Sequence, residues 1–167
     1  MVTLVQIFQI IGYKNSGKTT LTCQFIKELS KRNLRVASLK HHGHGGLPLG
    51  IQNTDSEKHR QAGSIISGVI GEHILQLSTD NWQLTQLIKI YEIMHIDVLI
   101  LEGFKHEDFP KIVLISDERD LRLLHQLTNV QAVLSTLPQN LNEVDAVIFQ
   151  KNNTTELIQW YCNLLGY

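Results

Sequence analysis

Val5-Gln6-Ile7-Phe8-Gln9-Ile10-Ile11-Gly12-Tyr13-Lys14-Asn15-Ser16-Gly17-Lys18-Thr19-Thr20 decides how this chain folds. Val5 to Ile11 is apolar and rich in β-branched residues, and it stops at Gly12, so it reads as a central buried strand. From Lys18 to about Lys31 the period becomes helical, with Leu21, Phe25 and Leu29 one turn apart and Ile26 flanking the same face. Between them stands Gly12-x4-Gly17-Lys18-Thr19. A glycine-rich turn that follows a strand and opens a helix is the setting in which this spacing cradles phosphate. Its backbone N–H groups curl inward, and the positive end of the helix dipole adds to them. On this reading Gly12, Lys14, Asn15, Ser16, Gly17, Lys18, Thr19 and Thr20 hold a nucleoside triphosphate. Lys18 reaches the β- and γ-phosphates and the Thr19 hydroxyl binds Mg²⁺. A chance turn of this pattern would occur on the order of once in 200 chains of this length.

The rest of the chain continues the alternation. Arg35 to Lys40, Asp97 to Leu101, Lys111 to Ile115, Val130 to Leu134 and Ala146 to Phe149 read as strands. Asp55 to Gly63 reads as a short helix capped by Thr54 or Asp55, and Ile65 to Leu77 as a pair of short strands. Trp82 to Met94 is an amphipathic helix with Leu84, Leu87, Ile88, Tyr91 and Met94 on one face. The last helix starts near Thr154, with Asn153 and Glu156 spaced as a capping box. His41 to Thr54 is a long glycine-rich loop, Asp117 to Arg122 is a charged, exposed stretch, and the His59 and Arg60 side chains read as a solvated face. The pattern predicts an α/β fold, a P-loop NTPase three-layer sandwich with a mostly parallel central sheet and short antiparallel additions, in one domain over residues 1–167. A chain of 167 residues needs no disulfide or structural metal. Cys23 and Cys162 form no CxxC pair and read as small, mostly buried thiols. The formal net charge of −1 argues against nucleic acid or an acidic membrane as partner, and Leu4 to Ile11 is too short to span a bilayer. The expected location is the cytoplasm.

Ligands on such sheets sit at the carboxyl ends of the strands. Three features fall there. Glu102 follows Val98 to Leu101 and reads either as the strand-tip carboxylate that binds Mg²⁺ directly or through water, or as an ordinary strand end. Lys40-His41-His42-Gly43-His44 offers imidazoles either to a metal or to phosphate and partners. The glycines and the lack of Cys or Asp favour the second use, with His41, His42, Gly103 and Lys105 facing substrate or phosphate. Asp55 reads equally as a helix cap or as a second acidic ligand for Mg²⁺. Any catalytic role would fall to Asp55 or Glu102.

These pieces resemble the molybdopterin-guanine dinucleotide biosynthesis adapter family, MobB. The matching residues are Gly12 to Thr20, Leu39-Lys40-His41-His42, Thr54-Asp55-Ser56 with Arg60-Gln61-Ala62-Gly63, and above all Leu101-Glu102-Gly103-Phe104-Lys105-His106 followed by Pro110-Lys111-Ile112-Val113. The resemblance runs from Leu4 to about Pro138. It implies a homodimeric, GTP- and Mg²⁺-binding protein related to signal-recognition GTPases and MinD-like ATPases, with weak hydrolysis. It also implies partners: molybdopterin, and the guanylyltransferase MobA that attaches GMP to it. One departure is Ser135-Thr136-Leu137-Pro138, where the family often has Ser-Asp before the proline, a carboxylate able to accept from guanine N1 and N2. An alternative on the same scaffold is an ATP-dependent small-molecule kinase or ligase, for which Arg119 and Arg122 are the only lid arginines on offer.

Overall fold

The computed structural model describes residues 4–42, 53–137, 141 and 144–167. In chain order the elements are β1 (Gln6–Ile11), α1 (Lys18–Lys31), β2 (Val36–Lys40), α2 (Asp55–Gln61), β3 (Ser67–Ile70), β4 (Leu75–Ser78), α3 (Leu84–Ile93), β5 (Val98–Glu102), β6 (Lys111–Ile115), a 3-10 helix (Glu118–Gln126), β7 (Val130–Ser135), β8 (Val147–Gln150) and α4 (Thr154–Leu164). They form two compact units, one within Met1–His41 and Tyr91–Tyr167, the other within His42–Ile90.

The first unit is built on a parallel sheet of six strands in the order β2-β5-β1-β6-β7-β8. Strand β1 is central because it is apolar on both faces. Phe8 and Ile10 point to one side, where Leu21, Phe25 and Leu29 of α1 and Leu157, Ile158 and Tyr161 of α4 close the core. Phe8, Phe25 and Tyr161 meet there at ring-centroid distances of 4.7–5.8 Å. Ile11 points to the other side, with Val113, Ile115, Val133 and Leu123 of the 3-10 helix. Sheet and two flanking layers are the α/β architecture expected.

Gln9 interrupts the apolar run for a reason that emerges only in three dimensions. It is fully buried. The link from β5 to β6 is too short for a helix, and it passes beside Gln9. The Gln9 amide donates to the carbonyls of Gly103 (3.1 Å) and Phe104 (2.6 Å) and accepts from the Phe109 N–H (3.2 Å). One side chain thus satisfies backbone groups that a helix would have satisfied internally.

Three local expectations are corrected. The stretch from Asp117 is a capped helix. Asp117 and Asp120 form a reciprocal box, and Asp120 is buried while accepting from the N–H groups of Ser116 (2.7 Å) and Asp117 (3.2 Å). At α4 no such box forms: the Asn153 amide donates to the Glu156 carboxylate (3.1 Å) instead of accepting from the backbone. Cys162 is buried as expected, but Cys23 is exposed because it sits on the outer face of α1. Among the described residues no helix is long and apolar enough to cross a membrane.

In the second unit, Thr54 caps α2 by accepting from the Glu57 N–H (3.3 Å). Arg60 is not part of a solvated face. It is mostly buried, forks onto the buried Glu57 carboxylate (2.6 and 2.8 Å) and also bonds Asp80. Asp80 comes from beyond the hairpin, which is why local reading missed the pair. Strands β3 and β4 form an antiparallel hairpin whose Val69, Ile70, Ile74, Leu75 and Leu77 are exposed. The predicted apolar face of α3 is only partly covered: Leu84 is buried, Leu87 and Ile88 are half-buried and Met94 is exposed.

Candidate nucleotide site

The site grows from the turn between β1 and α1. Gly17 ends the turn at φ 102° and offers no side chain to cap α1, whose first turn also holds no acid. The helix therefore presents its first N–H groups with neither a capping oxygen nor an acid of its own first turn beside them. Asn15, at φ 63°, helps curl the backbone around the same point. Ser16 is buried, and its hydroxyl has no hydrogen-bond partner among the described residues. A buried, unpaired hydroxyl is costly unless something polar meets it. A donor-lined concavity of this kind suits an anion, and phosphate above others.

Three lysines surround it. The Lys18 ammonium donates to the Tyr13 carbonyl at 2.6 Å. Lys105 stands 4.5 Å above the Tyr13 ring, a cation–π contact that joins the loop after β5 to the phosphate turn. Lys40, at the end of β2, reaches the Glu102 carboxylate at 2.9 Å and the Thr19 hydroxyl at 3.2 Å. Burial lowers the Lys18 pKa, the nearby charges of Lys40 and Lys105 push the same way, and Glu102 opposes them. The local charge is positive, with one buried carboxylate among three ammonium groups.

Glu102 is the last residue of β5 and is buried. Its two oxygens accept from Thr19 Oγ1 at 2.9 and 3.1 Å. The first residues of α1 and the tip of β5 are thus brought together, as β1 pairs with β5 in register from Gln6↔Val98 to Ile10↔Glu102. A hydroxyl and a carboxylate are hard oxygen donors, so Thr19 and Glu102 fit Mg²⁺ chemically.

The remaining predicted residues are placed as follows. The His41 N–H donates to the Glu102 carbonyl (3.0 Å), and its ring lies 5.2 Å from that of Phe104. Gly103 and Phe104 both have positive φ, 92° and 59°, which turns the chain sharply toward Lys105 and Tyr13. Lys14 and Thr20 are exposed beside the turn. His42 and Asp55 belong to the second unit; His42 is exposed, and Asp55 pairs with Lys58 at 2.8 Å on the first turn of α2. Gly43 and His44 lie outside the described residues. Thr136, at the tip of β7, donates its hydroxyl to the Ser116 carbonyl (2.7 Å). Arg119 folds back onto Asp117 (2.8 Å), within its own helix. The two residues that sequence reasoning missed are Gln9 and Lys40. Gln9 looked like a polar interruption, and Lys40 was overshadowed by the histidines after it.

The family described as molybdopterin guanine dinucleotide synthesis protein B, MobB, matches residues 7–136, which span the sheet centre, the phosphate turn and the Glu102 strand. The chain belongs to this family. A probable molybdopterin-guanine dinucleotide biosynthesis adapter protein of Bacillus subtilis is 36% identical over 139 residues, 82% of this chain and 80% of that protein. The corresponding adapter protein of Haemophilus influenzae is 29% identical over 166 residues, covering 98% of this chain and 91% of the relative. Among solved structures, Bacillus subtilis MobB superposes with a TM-score of 0.76 at 31% identity, covering 95% of this chain and 96% of that one. The MobB homolog from Bacillus stearothermophilus gives 0.74 at 28% identity, over 95% and 97%. The MobB fold thus extends beyond the matched segment to nearly the whole chain.

Proposed function

We propose that this MobB-family chain is a GTP-binding adapter in molybdenum cofactor biosynthesis, assisting the conversion of molybdopterin to molybdopterin guanine dinucleotide. The observation that carries the reading is the uncapped start of α1 with the unpaired Ser16 hydroxyl, ringed by Lys18, Lys40 and Lys105, in a chain of this family. Gly12, Lys14, Asn15, Ser16, Gly17, Lys18, Thr19 and Thr20 wrap the phosphates, and Thr19 and Glu102 hold Mg²⁺. The bound ion supplies charge neutralisation at the β- and γ-phosphates. His41 and Lys105 serve as further donors beside the γ-phosphate or the phosphate of molybdopterin, with His42 following His41 in sequence. On this reading the chain's own hydrolysis is slow, and the guanylyltransferase partner does the transfer chemistry. The test is reconstitution: molybdopterin, GTP, Mg²⁺ and the guanylyltransferase, with and without this chain. Faster product formation with the chain, lost in Lys18→Ala, supports the reading; identical progress curves with and without it reject it.

Glu102→Gln removes a charge from the proposed ion site at constant shape. The expected result is roughly a 10–100-fold loss of Mg²⁺-dependent nucleotide affinity. Titration of GTP in Mg²⁺ and in EDTA reads it; equal affinities for parent and variant in Mg²⁺ would make Glu102 a strand end only.

The protein is further proposed to be a homodimer. A two-stranded hairpin is marginal alone, and here it exposes Ile70 at 81%, Ile74 at 73% and Leu75 at 61%. Apolar residues grouped this way mark a surface that another chain covers. A second copy is the occupant proposed because the family resemblance implies dimers. Light scattering at tens of micromolar should give twice the chain mass, and Ile70→Lys with Ile74→Lys should halve it. A monomeric parent contradicts the dimer.

A further inference from the structure

We propose that Lys40 is an internal counter-cation that competes with Mg²⁺ for the Thr19–Glu102 site, balancing the charge of the buried carboxylate until the ion arrives with nucleotide. The inference rests on the Mg²⁺ assignment made above and adds a role for a residue outside it.

The geometry starts from strand register. Strand β2 pairs with β5 in parallel so that Lys40 lies opposite Glu102 at the last rung of the ladder. Both therefore end at the edge of the sheet where α1 begins. The Glu102 side chain is 6% exposed, whereas that of Lys40 is 56% exposed. A carboxylate so buried needs a cation or several donors. Among the described residues its side chain accepts from one hydroxyl, that of Thr19, and from one cation, Lys40. The Lys40 ammonium touches Glu102 Oε1 and Thr19 Oγ1, two oxygens that a divalent ion held by the same residues would share. Mg²⁺ sits about 2.0–2.1 Å from its oxygens and tolerates no second cation in that space. Ion and ammonium are therefore alternatives. The Lys40 head can leave without unfolding anything, since its flexible stem is largely in water.

Two consequences follow. Mg²⁺ alone, without the negative charge of a triphosphate, has to displace a lysine from a site already balanced, so the ion binds weakly until nucleotide is present. When both arrive, the released ammonium is left beside the phosphates, where Lys18 and Lys105 already face the turn. Among the described residues Glu102 faces Thr19 from α1, Lys40 from β2 and the charge of Lys18, and these set the balance around it.

Lys40→Met keeps the stem and removes the charge. Thermal unfolding is followed over a Mg²⁺ series without nucleotide, for parent, Lys40→Met and Lys40→Met with Glu102→Gln. The parent's Tm is expected to be flat to several millimolar Mg²⁺. Lys40→Met is expected to melt lower in EDTA and to recover as Mg²⁺ is added. The double variant should be flat again, since a neutral amide needs no cation. In a second measurement, fluorescent-nucleotide binding against Mg²⁺ concentration, the Lys40→Met midpoint should fall about tenfold below the parent's. Lys40→Arg provides a folded control if Lys40→Met is unstable, and should keep the parent's flat response. Nucleotide binding by the parent that is equal in Mg²⁺ and EDTA would sink the Mg²⁺ assignment itself. If the parent does depend on Mg²⁺, but Lys40→Met shows no Mg²⁺-linked rise in Tm, or a midpoint equal to or above the parent's, only the role given to Lys40 is overturned.

Discussion

Lys18→Ala is expected to weaken nucleoside triphosphate binding by roughly 30-fold to several thousand-fold, about 2–5 kcal/mol, while leaving the fold intact. The size of the effect comes from where the ammonium stands. It is partly buried at the start of α1, and burial already lowers its pKa, so it faces an anion with little water to screen it. Among the described residues its one hydrogen bond goes to the Tyr13 carbonyl in the same turn, and no core residue depends on it. Alanine is also a good helix former at that position. Stability should therefore change by no more than about 0.5 kcal/mol. Calorimetric titration with GTP and Mg²⁺, beside a melting curve, measures both quantities. Affinity within about twofold of the parent would remove the phosphate turn from the account.

Gly12→Ala is expected to damage both binding and stability, in contrast to Lys18→Ala. A Cβ at position 12 would stand 2.5 Å from the Ser16 hydroxyl and 3.2 Å from both Cβ and the carbonyl oxygen of Leu114. Leu114 belongs to β6 and the core, so it cannot yield, and Ser16 would be driven out of the turn. Overpacking of this kind costs about 1–3 kcal/mol. Displacing Ser16 also breaks the curl that aims the N–H groups inward, so nucleotide affinity should fall at least tenfold, an estimate for lost orientation of several donors. Denaturant unfolding and nucleotide titration check the pair. An alanine variant with the parent's stability and affinity would contradict the close approach of Gly12 to Ser16 and Leu114.

The phosphate turn and the strand-tip Glu102 were legible because their signals are local. A glycine spacing, a lysine and a change of period from strand to helix all lie within twenty residues of Val5, and an apolar run ending in an acid marks β5. The Lys40–Glu102 contact was not legible. It depends on β2 pairing with β5, two strands separated by 57 residues of chain from Lys40 to Val98, and register between distant strands leaves no mark in composition. Gln9 is a polar residue inside a run that reads as a buried strand. Its amide serves a crossover that only the order β5-β1-β6 creates. Arg60 and Asp120 were misread because charged residues in short polar stretches are usually solvated; Asp80 lies twenty residues from Arg60 in the chain, whereas Asp120 is held by the N–H groups of Ser116 and Asp117 in its own cap, a local box hidden among the charges. The α4 capping box failed at the last step, since Asn153 has an amide hydrogen to give and gives it to Glu156.

The central claim is that this surface binds a nucleoside triphosphate with Mg²⁺ and prefers GTP. The most direct measurement is thermal unfolding with GTP or ATP, each in Mg²⁺ and in EDTA. At 100 times its Kd a ligand stabilises by about 2.7 kcal/mol, which for a domain of this size raises Tm by roughly 5–10 °C. The account predicts that rise with GTP and Mg²⁺, a smaller one with ATP, and a loss of most of it in EDTA. An unchanged Tm with millimolar GTP and Mg²⁺ would contradict it.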